Sequence, residues 1–361
     1  YGMQGSNGVI LIETLKPSEV ETTIDFSLRA GIASKPQQIP QLNAGQHRTL
    51  ANETLSSSTI PEETFPIQYP GLFYDSFDDE YVRYSHNTNW QDQIFSSSKF
   101  TDAYIKVRGG DEIARYGLSV GYLNHEGIVK NTDYNRYNIR FVGTFNMFKW
   151  LRMYVNTNLN SSSGSLKESI LAVETSPIRA ALMKSPMMSP YKIDENGDQL
   201  QAVGNVEELG ISNPLAIIEN YNATYKNTRF LTSVRFRGDI TSDIKLNSIL
   251  GLNINQLSES IFMPNKGMVL YYDGEAYNVI KSQKNAFRSV YSESDLTYSK
   301  ELNRIHQISA KVGIRVHTND SQSDWALTKN SQESDQYTRL SDGISFLRDI
   351  GGDNHVWNRL A

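Results

Sequence analysis

The sequence contains no cysteine among its 361 residues, which removes thiol catalysis, cysteine-ligated zinc and disulfide cross-links together. Both reducing and oxidising compartments stay open. A basic excess is missing too. Thirty-five Lys+Arg stand against 40 Asp+Glu, a formal charge of -5 and a pI near 5.8, so no phosphate-neutralising surface and no nucleic-acid partner are expected. Long apolar runs are also absent. The longest aliphatic stretch, Val9-Ile10-Leu11-Ile12, falls far short of the roughly 20 apolar residues of a membrane-spanning helix. Transmembrane strands need only about 9 to 11 alternating residues and leave little trace in an average. The mean hydropathy of -0.47 therefore does not decide the membrane question. Tyr1 is preceded by no initiator Met, basic leader or apolar signal segment, and the chain reads as a mature product or an internal piece. Its length suits two ordinary domains or one large β structure.

What the sequence does contain is alternation with a period of two. In 22–33 one parity holds Ile24, Phe26, Leu28, Ala30 and Ile32, and the other holds Asp25, Ser27, Arg29 and Gly31. The pattern returns at Ala103-Ile105-Val107, Tyr116-Leu118-Val120-Tyr122, Tyr137-Ile139-Phe141-Phe145 and Leu151-Met153-Val155-Leu159. It returns again at Phe230-Val234-Phe236, Leu246-Leu250-Leu252-Ile254 and Ile308-Ala310-Val312-Ile314-Val316, with a weaker segment over about 287–299. Nine strands are expected.

Their connections alternate in length. Short links fall near 109–115, 146–150, 239–243 and 300–304, and longer ones near 34–101, 125–135, 161–227 and 258–286. Tight turns at one end and long excursions at the other are the layout of an antiparallel outer-membrane barrel. The polar parity agrees. Arg29, Lys106, Arg108, Arg140, Arg152, Arg235, Arg237, Lys245 and Arg315 would be buried in a closed two-sheet core, at prohibitive cost if unpaired. In a wide barrel that parity faces a wet lumen and the apolar parity faces lipid. Tyr116, Tyr134, Tyr137, Phe148 and Trp150, near strand ends, suit interfacial girdles.

The excursions carry their own signals. Ser165-Leu166-Lys167-Glu168 has capping-box spacing, and Ser176-Pro177 opens a helix over Ile178 to Met183. Two short helices are expected over the mouth. Tyr191 to Asp198 reads as a hairpin turned at Asn196-Gly197, its acidic run too short for an EF-hand. Residues 1–16 differ from the rest: Gly2, Gly5, Asn7 and Gly8 form a turn before the strand Val9-Ile10-Leu11-Ile12, which has no polar parity. Neither phosphate-binding glycine pattern is present there.

Catalytic signals are weak. The six His, at 47, 86, 125, 306, 317 and 355, never form H-E-x-x-H or a close pair, and no G-x-S-x-G occurs. Glu62-Glu63 and Asp78-Asp79-Glu80 sit in polar loop sequence with no sign of a raised pKa. No enzyme, metal or cofactor is expected.

Tyr1-Gly2-Met3-Gln4-Gly5-Ser6-Asn7-Gly8-Val9-Ile10-Leu11-Ile12-Glu13-Thr14 resembles the end of the plug domain in SusC-like (SusC/RagA) TonB-dependent outer-membrane transporters, whose pattern is close to YGSRGANGVILITT. Met3 and Gln4 depart from the usual Ser and Arg. Asn89-Trp90-Gln91-Asp92-Gln93-Ile94-Phe95, Arg115-Tyr116, Gly121-Tyr122, Glu126-Gly127-Ile128, Arg136-Tyr137 and Asn213-Pro214-Leu215-Ala216 also match, in the family's order. The resemblance implies an all-β fold, with 1–16 the C-terminal edge of a plug and 17–361 the first part of a transmembrane barrel of about 22 strands. The expected extracellular loops are about 34–101, 161–227, 258–286 and 318–361, and residues 351–361 are expected just before another strand. It implies a segment of a longer polypeptide in the outer membrane of a Gram-negative bacterium. It implies import of a glycan or oligopeptide, energised through TonB, under a SusD-like lipoprotein lid. Tyr69, Tyr74, Tyr81, Tyr84 and Trp90 would suit stacking on sugars or peptide side chains, or packing of the loops. The rival readings are a non-transporting barrel scaffold and a secreted β-sandwich glycan binder.

Overall fold

The computed structural model describes residues 8, 21–75, 77, 81–167, 176–194, 196–204, 210–264, 267–268, 278–302, 306–329 and 347–360. Ten strands form one antiparallel sheet: β1 (Thr23–Ala33), β2 (Ser98–Gly110), β3 (Ala114–Glu126), β4 (Asp133–Phe148), β5 (Leu151–Leu166), β8 (Asn222–Asp239), β9 (Ile244–Met263), β10 (Val279–Leu302), β11 (His306–Lys329) and β12 (Leu347–Leu360). Each pairs with the next in that order, so the sheet is a meander with β1 and β12 at its edges. It is part of a barrel wall and is not closed. A separate hairpin, β6 (Tyr191–Ile193) and β7 (Gln199–Val203), lies in the excursion between β5 and β8.

Register carries the two parities unbroken across nine strands. Arg29 stands opposite Asp102, Lys106 opposite Ser119, Arg140 opposite Ser119 and Asn158, Arg152 opposite Arg237, Asn247 opposite Asp295, and Glu293 opposite Arg315. All nine basic residues expected on the polar parity therefore share one face. Arg108 bonds Asp25 at 2.9 Å, Arg315 bonds Glu293 at 2.9 Å, and Lys311 bonds Asp295 at 3.2 Å. Each pair keeps at least one partner exposed, so such pairs add little stability, but they mark a water-adapted surface.

The other face is apolar and uncovered: Ile32 is 72% exposed, Val312 70% and Leu250 52%. On β11 this face reads Ile308, Ala310, Val312, Ile314, Val316 and then turns polar at Thr318, Asp320, Gln322 and Asp324. The apolar part matches the roughly 9 to 11 residues of a transmembrane strand. β10 and β11, 24 residues each, run about 80 Å at roughly 3.3 Å per residue, well beyond that band.

The turns at one end are short and locally fixed. Between β2 and β3, Gly110 has φ +145°, and a Cβ there would strike the Ala114 carbonyl oxygen. The Asp111 carboxylate accepts from Ala114 N at 2.7 Å and Ile113 N at 2.8 Å, bonds that hold its pKa below the usual carboxylate value. Between β4 and β5 the register shifts at Asn146/Phe148. This bulge puts Phe148 opposite Leu151, on the apolar parity, where it stacks on Trp150 at 6.0 Å. Tyr116 and Tyr137 also stand on the apolar face. Tyr134 does not: it lies opposite His125 and Gly164, on the polar face, because its strand position has the other parity.

Three further expectations are corrected. The excursion placed over 318–361 is strand over much of its length, since β11 extends to Lys329 and β12 includes 351–360. Residues 351–361 were expected before a strand, and 351–360 are themselves in one. Ser165 and Leu166 end β5 rather than open a helix, and Glu168 of that capping signal lies outside the described residues. In both regions backbone pairing continues where the hydrophobic period has faded.

Candidate functional site at the loop end of the sheet

Three short helices build a cap from distant segments: α4 (Trp90–Ile94), α5 (Pro177–Met183) and α6 (Pro214–Asn220). Each is opened by a side chain that accepts backbone N–H groups: Asn89 from Gln91 and Asp92, Ser176 from Arg179, and Asn213 from Leu215. Proline at the first position of α5 and α6 presets φ. The Ser176-Pro177 helix expected from the sequence is therefore present. The Asn196-Gly197 hairpin is present too, with Gly197 at φ +85° and the Asp194 carboxylate accepting from Asn196 N and Asp198 N.

Helices of five to seven residues are unstable alone, so packing must hold them. One cluster joins Trp90, Ile94, Ala181 and Ile218. A second joins Ala180, Ala216, Ile217, Tyr221 and Ala223 to Met263, Val279 and Leu327 near the strand ends and to Met268 beyond β9. Polar bonds lock the joints. Trp90 Nε1 donates to Ser185 O at 2.9 Å, and Asn131 Nδ2 donates to Ile218 O at 3.2 Å. Asn213 Nδ2 donates to Pro190 O at 2.7 Å and Gly204 O at 3.2 Å. Lys167 donates to Tyr221 O, and burial pushes its pKa down.

Helix α4 also anchors the stretch after β1. The Gln91 amide accepts from Ile39 N at 2.9 Å and donates to Ile39 O at 2.7 Å, a side-chain imitation of strand pairing. Asp92 accepts from Lys35 at 2.7 Å and Gln38 at 2.6 Å. Beyond this stretch lie α1 (Ala44–Ser56), with a capping box between Asn43 and Gln46, then α2 (Phe65–Gln68) and α3 (Pro70–Phe73). A cavity of about 350 Å³ sits between α1, α3, Tyr84 and the segment Ser185, Met187 and Met188. A polar cleft of about 390 Å³ runs along 38–43 and 87–91. Many of its amides, including Gln38, Gln41, Asn89 and Gln91, are already bonded to one another or to backbone.

The loop aromatics separate by role. Trp90 is 1% exposed and belongs to the cap's core, so it offers no face to a ligand. Tyr69 and Tyr84 line the 350 Å³ cavity, Tyr74 packs on Tyr84 at 5.6 Å, and Tyr81 is half-buried on a turn. Glu62 and Glu63 lie exposed on a short turn, and Asp78, Asp79 and Glu80 lie outside the described residues. So do Gly2, Gly5 and Asn7 of the expected plug-edge turn; Gly8 is described, exposed, at φ +103°. Helix α1 and the Met187-Met188 wall were not among the expected features. The capping box at Asn43 was a visible signal for the first, while nothing local marked the second.

Burial lowers the pKa of both cap imidazoles, His47 on α1 and His86 on the neighbouring turn. An imidazole whose folded pKa lies below 6.5 binds fewer protons folded than unfolded. The stability it contributes is therefore present above that value and is lost as pH falls toward the folded pKa. Backbone hydrogen exchange in 44–56 and 81–88, corrected for intrinsic rates, is expected to quicken between about pH 7.5 and 5.5, the range in which imidazoles charge. His47→Gln should flatten the effect at 44–56. Equal quickening in that variant would assign the response to other groups.

No family model matches the chain. It is 27% identical over 138 residues to the TonB-dependent receptor SusC of Bacteroides thetaiotaomicron, covering 38% of this chain and 12% of that protein. Two TonB-dependent receptors of Formosa agariphila are each 23% identical, over 325 and 322 residues, covering 87% and 88% of this chain but 29% and 28% of theirs. The chain thus spans less than a third of the length of these relatives. Among solved structures, the RagAB peptide importer in its closed-closed state superposes with a TM-score of 0.69 at 18% identity, over 100% of this chain and 42% of that one. Its open-open state gives 0.67 over 98% and 40%. In sequence and in fold the chain is SusC-like, matching part of a TonB-dependent receptor of the SusC/RagA kind.

Proposed function

We propose that this chain belongs to an outer-membrane importer of nutrients, with glycans or oligopeptides as cargo. One observation carries the reading: a single continuous sheet presents an uncovered apolar band on one face and charged side chains on the other, with tight turns at one end and a packed cap at the other. A bilayer on the apolar side and water on the polar side satisfy both faces. The relatives named TonB-dependent receptors and the neighbour described as a peptide importer support transport, not catalysis. The finer parts of the proposal are energisation through TonB, a SusD-like lipoprotein lid over the cap, and a plug whose C-terminal edge is 1–16.

Deleting the gene in its native host is expected to abolish uptake of one class of nutrient, and removing TonB function should give the same loss with the protein still in the membrane. Unchanged uptake accompanied by collapse of a larger assembly would make the protein a scaffold instead. Recovery of the full polypeptide in a detergent-free soluble fraction would overturn the membrane reading altogether.

A further inference from the structure

We propose that the 350 Å³ cavity beside α1 is a subsite for one large apolar side chain, aromatic or branched aliphatic, of a peptide cargo. The inference rests on the importer reading and narrows its cargo to peptides.

The lining decides the chemistry. Leu50, Ala51 and Leu55 of α1 face Leu72 of α3, with Tyr69 on one side and Met187 and Met188 on another. Two of its hydroxyls have partners inside the chain: Thr54 Oγ1 donates to Leu50 O at 2.8 Å, and Ser185 Oγ accepts from Met187 N at 3.3 Å. Burial favours neutral His47. A sugar ring entering this space would give up water at each hydroxyl and find few groups to replace it. An apolar side chain gives up nothing of that kind. The volume is at the lower end for ligand pockets, suited to one anchoring group rather than a whole oligomer. Two adjacent methionines make the wall adaptable, so a class of side chains is accepted rather than one.

The wall is also preformed. Ser185 O is held by Trp90 Nε1, Met187 O accepts from His86 N at 3.2 Å, and Thr88 bonds Pro186 O at 2.7 Å through its N–H and Met188 O at 2.6 Å through its hydroxyl. A wall already ordered by the cap binds without the entropy loss of closing around its ligand.

The test uses the full-length transporter purified in detergent with any lipoprotein that accompanies it, and two soluble peptides identical except for one central Phe or Ser. Calorimetry is expected to show the Phe peptide binding at least about tenfold more tightly. Ala51→Trp, which fills the cavity, should erase the difference by weakening only the Phe peptide. Leu55→Ala, which enlarges the cavity, should shift preference toward a Trp peptide and so reports even where Ala51→Trp fails to fold. Equal binding of all peptides by the native protein and by Leu55→Ala would overturn the subsite. So would loss of the lipoprotein from Ala51→Trp with peptide discrimination intact, which would assign the surface to the lid. Uptake of a saccharide that depends on the protein but not on these residues would overturn the subsite and leave the importer standing. Uptake independent of the protein would remove the importer reading itself.

Discussion

Trp90→Ala is expected to loosen three helices at once. The indole is 1% exposed, packs with Ile94, Ala181 and Ile218, and donates to Ser185 O at 2.9 Å. Truncating a buried aromatic costs about 3 to 5 kcal/mol. Here the carbonyl of Ser185 also loses its donor, and the Lys184 ammonium loses the ring it covers at 5.9 Å. None of the helices has the length to stand alone, so the loss should spread rather than stay local. Hydrogen exchange should rise together in Trp90–Ile94, Pro177–Met183 and Pro214–Asn220, while the strands keep their protection. A rise confined to α4 would show that the three helices are independent.

Leu250→Arg should impair membrane insertion, and Ser233→Arg should not. These positions lie side by side at one height of the sheet, since Val234 faces Leu250 and Ser233 faces Gly251. They differ in face alone. Leu250 is 52% exposed among apolar neighbours, and an arginine in the middle of a lipid-facing band costs about 2 to 4 kcal/mol. Ser233 shares its face with Arg235 and Asn156, opposite a glycine that leaves room for a long side chain. Denaturant titration in lipid, with folded protein followed by gel mobility, reads both variants. Equal destabilisation would mean that both faces are dry, which a barrel with a wet lumen forbids.

The sequence exposed the lower half of this wall and hid the upper half, for a physical reason. Where one face is greasy and the other wet, hydrophobicity alternates and nine strands can be read directly. On β11 the alternation stops at Val316, because Thr318, Asp320, Gln322 and Asp324 are polar on the face that was apolar below. The ladder continues, since backbone groups pair whatever their side chains. β12 was hidden for the same cause: it pairs with β11 from Val316 upward, and Gly351-Gly352-Asp353-Asn354-His355 has no period. In the cap, local signals such as Ser176-Pro177 located a helix. The burial of Trp90 was illegible because its neighbours Ala181 and Ile218 come from segments about a hundred residues away. The charge parity was legible throughout, since one residue's face fixes that of all its neighbours in register.

Under the importer reading, the overhang of β9, β10 and β11 beyond the apolar band lies on the outer side of the membrane. On that reading, about half of each 24-residue strand stands clear of the lipid. The Arg288–Asp320 pair at 3.2 Å then faces outward just above it. Soluble agents outside the cell would reach this rim from the side. Its outward side chains contribute little to folding, so they are free to change. The band below, answerable to the bilayer, is not.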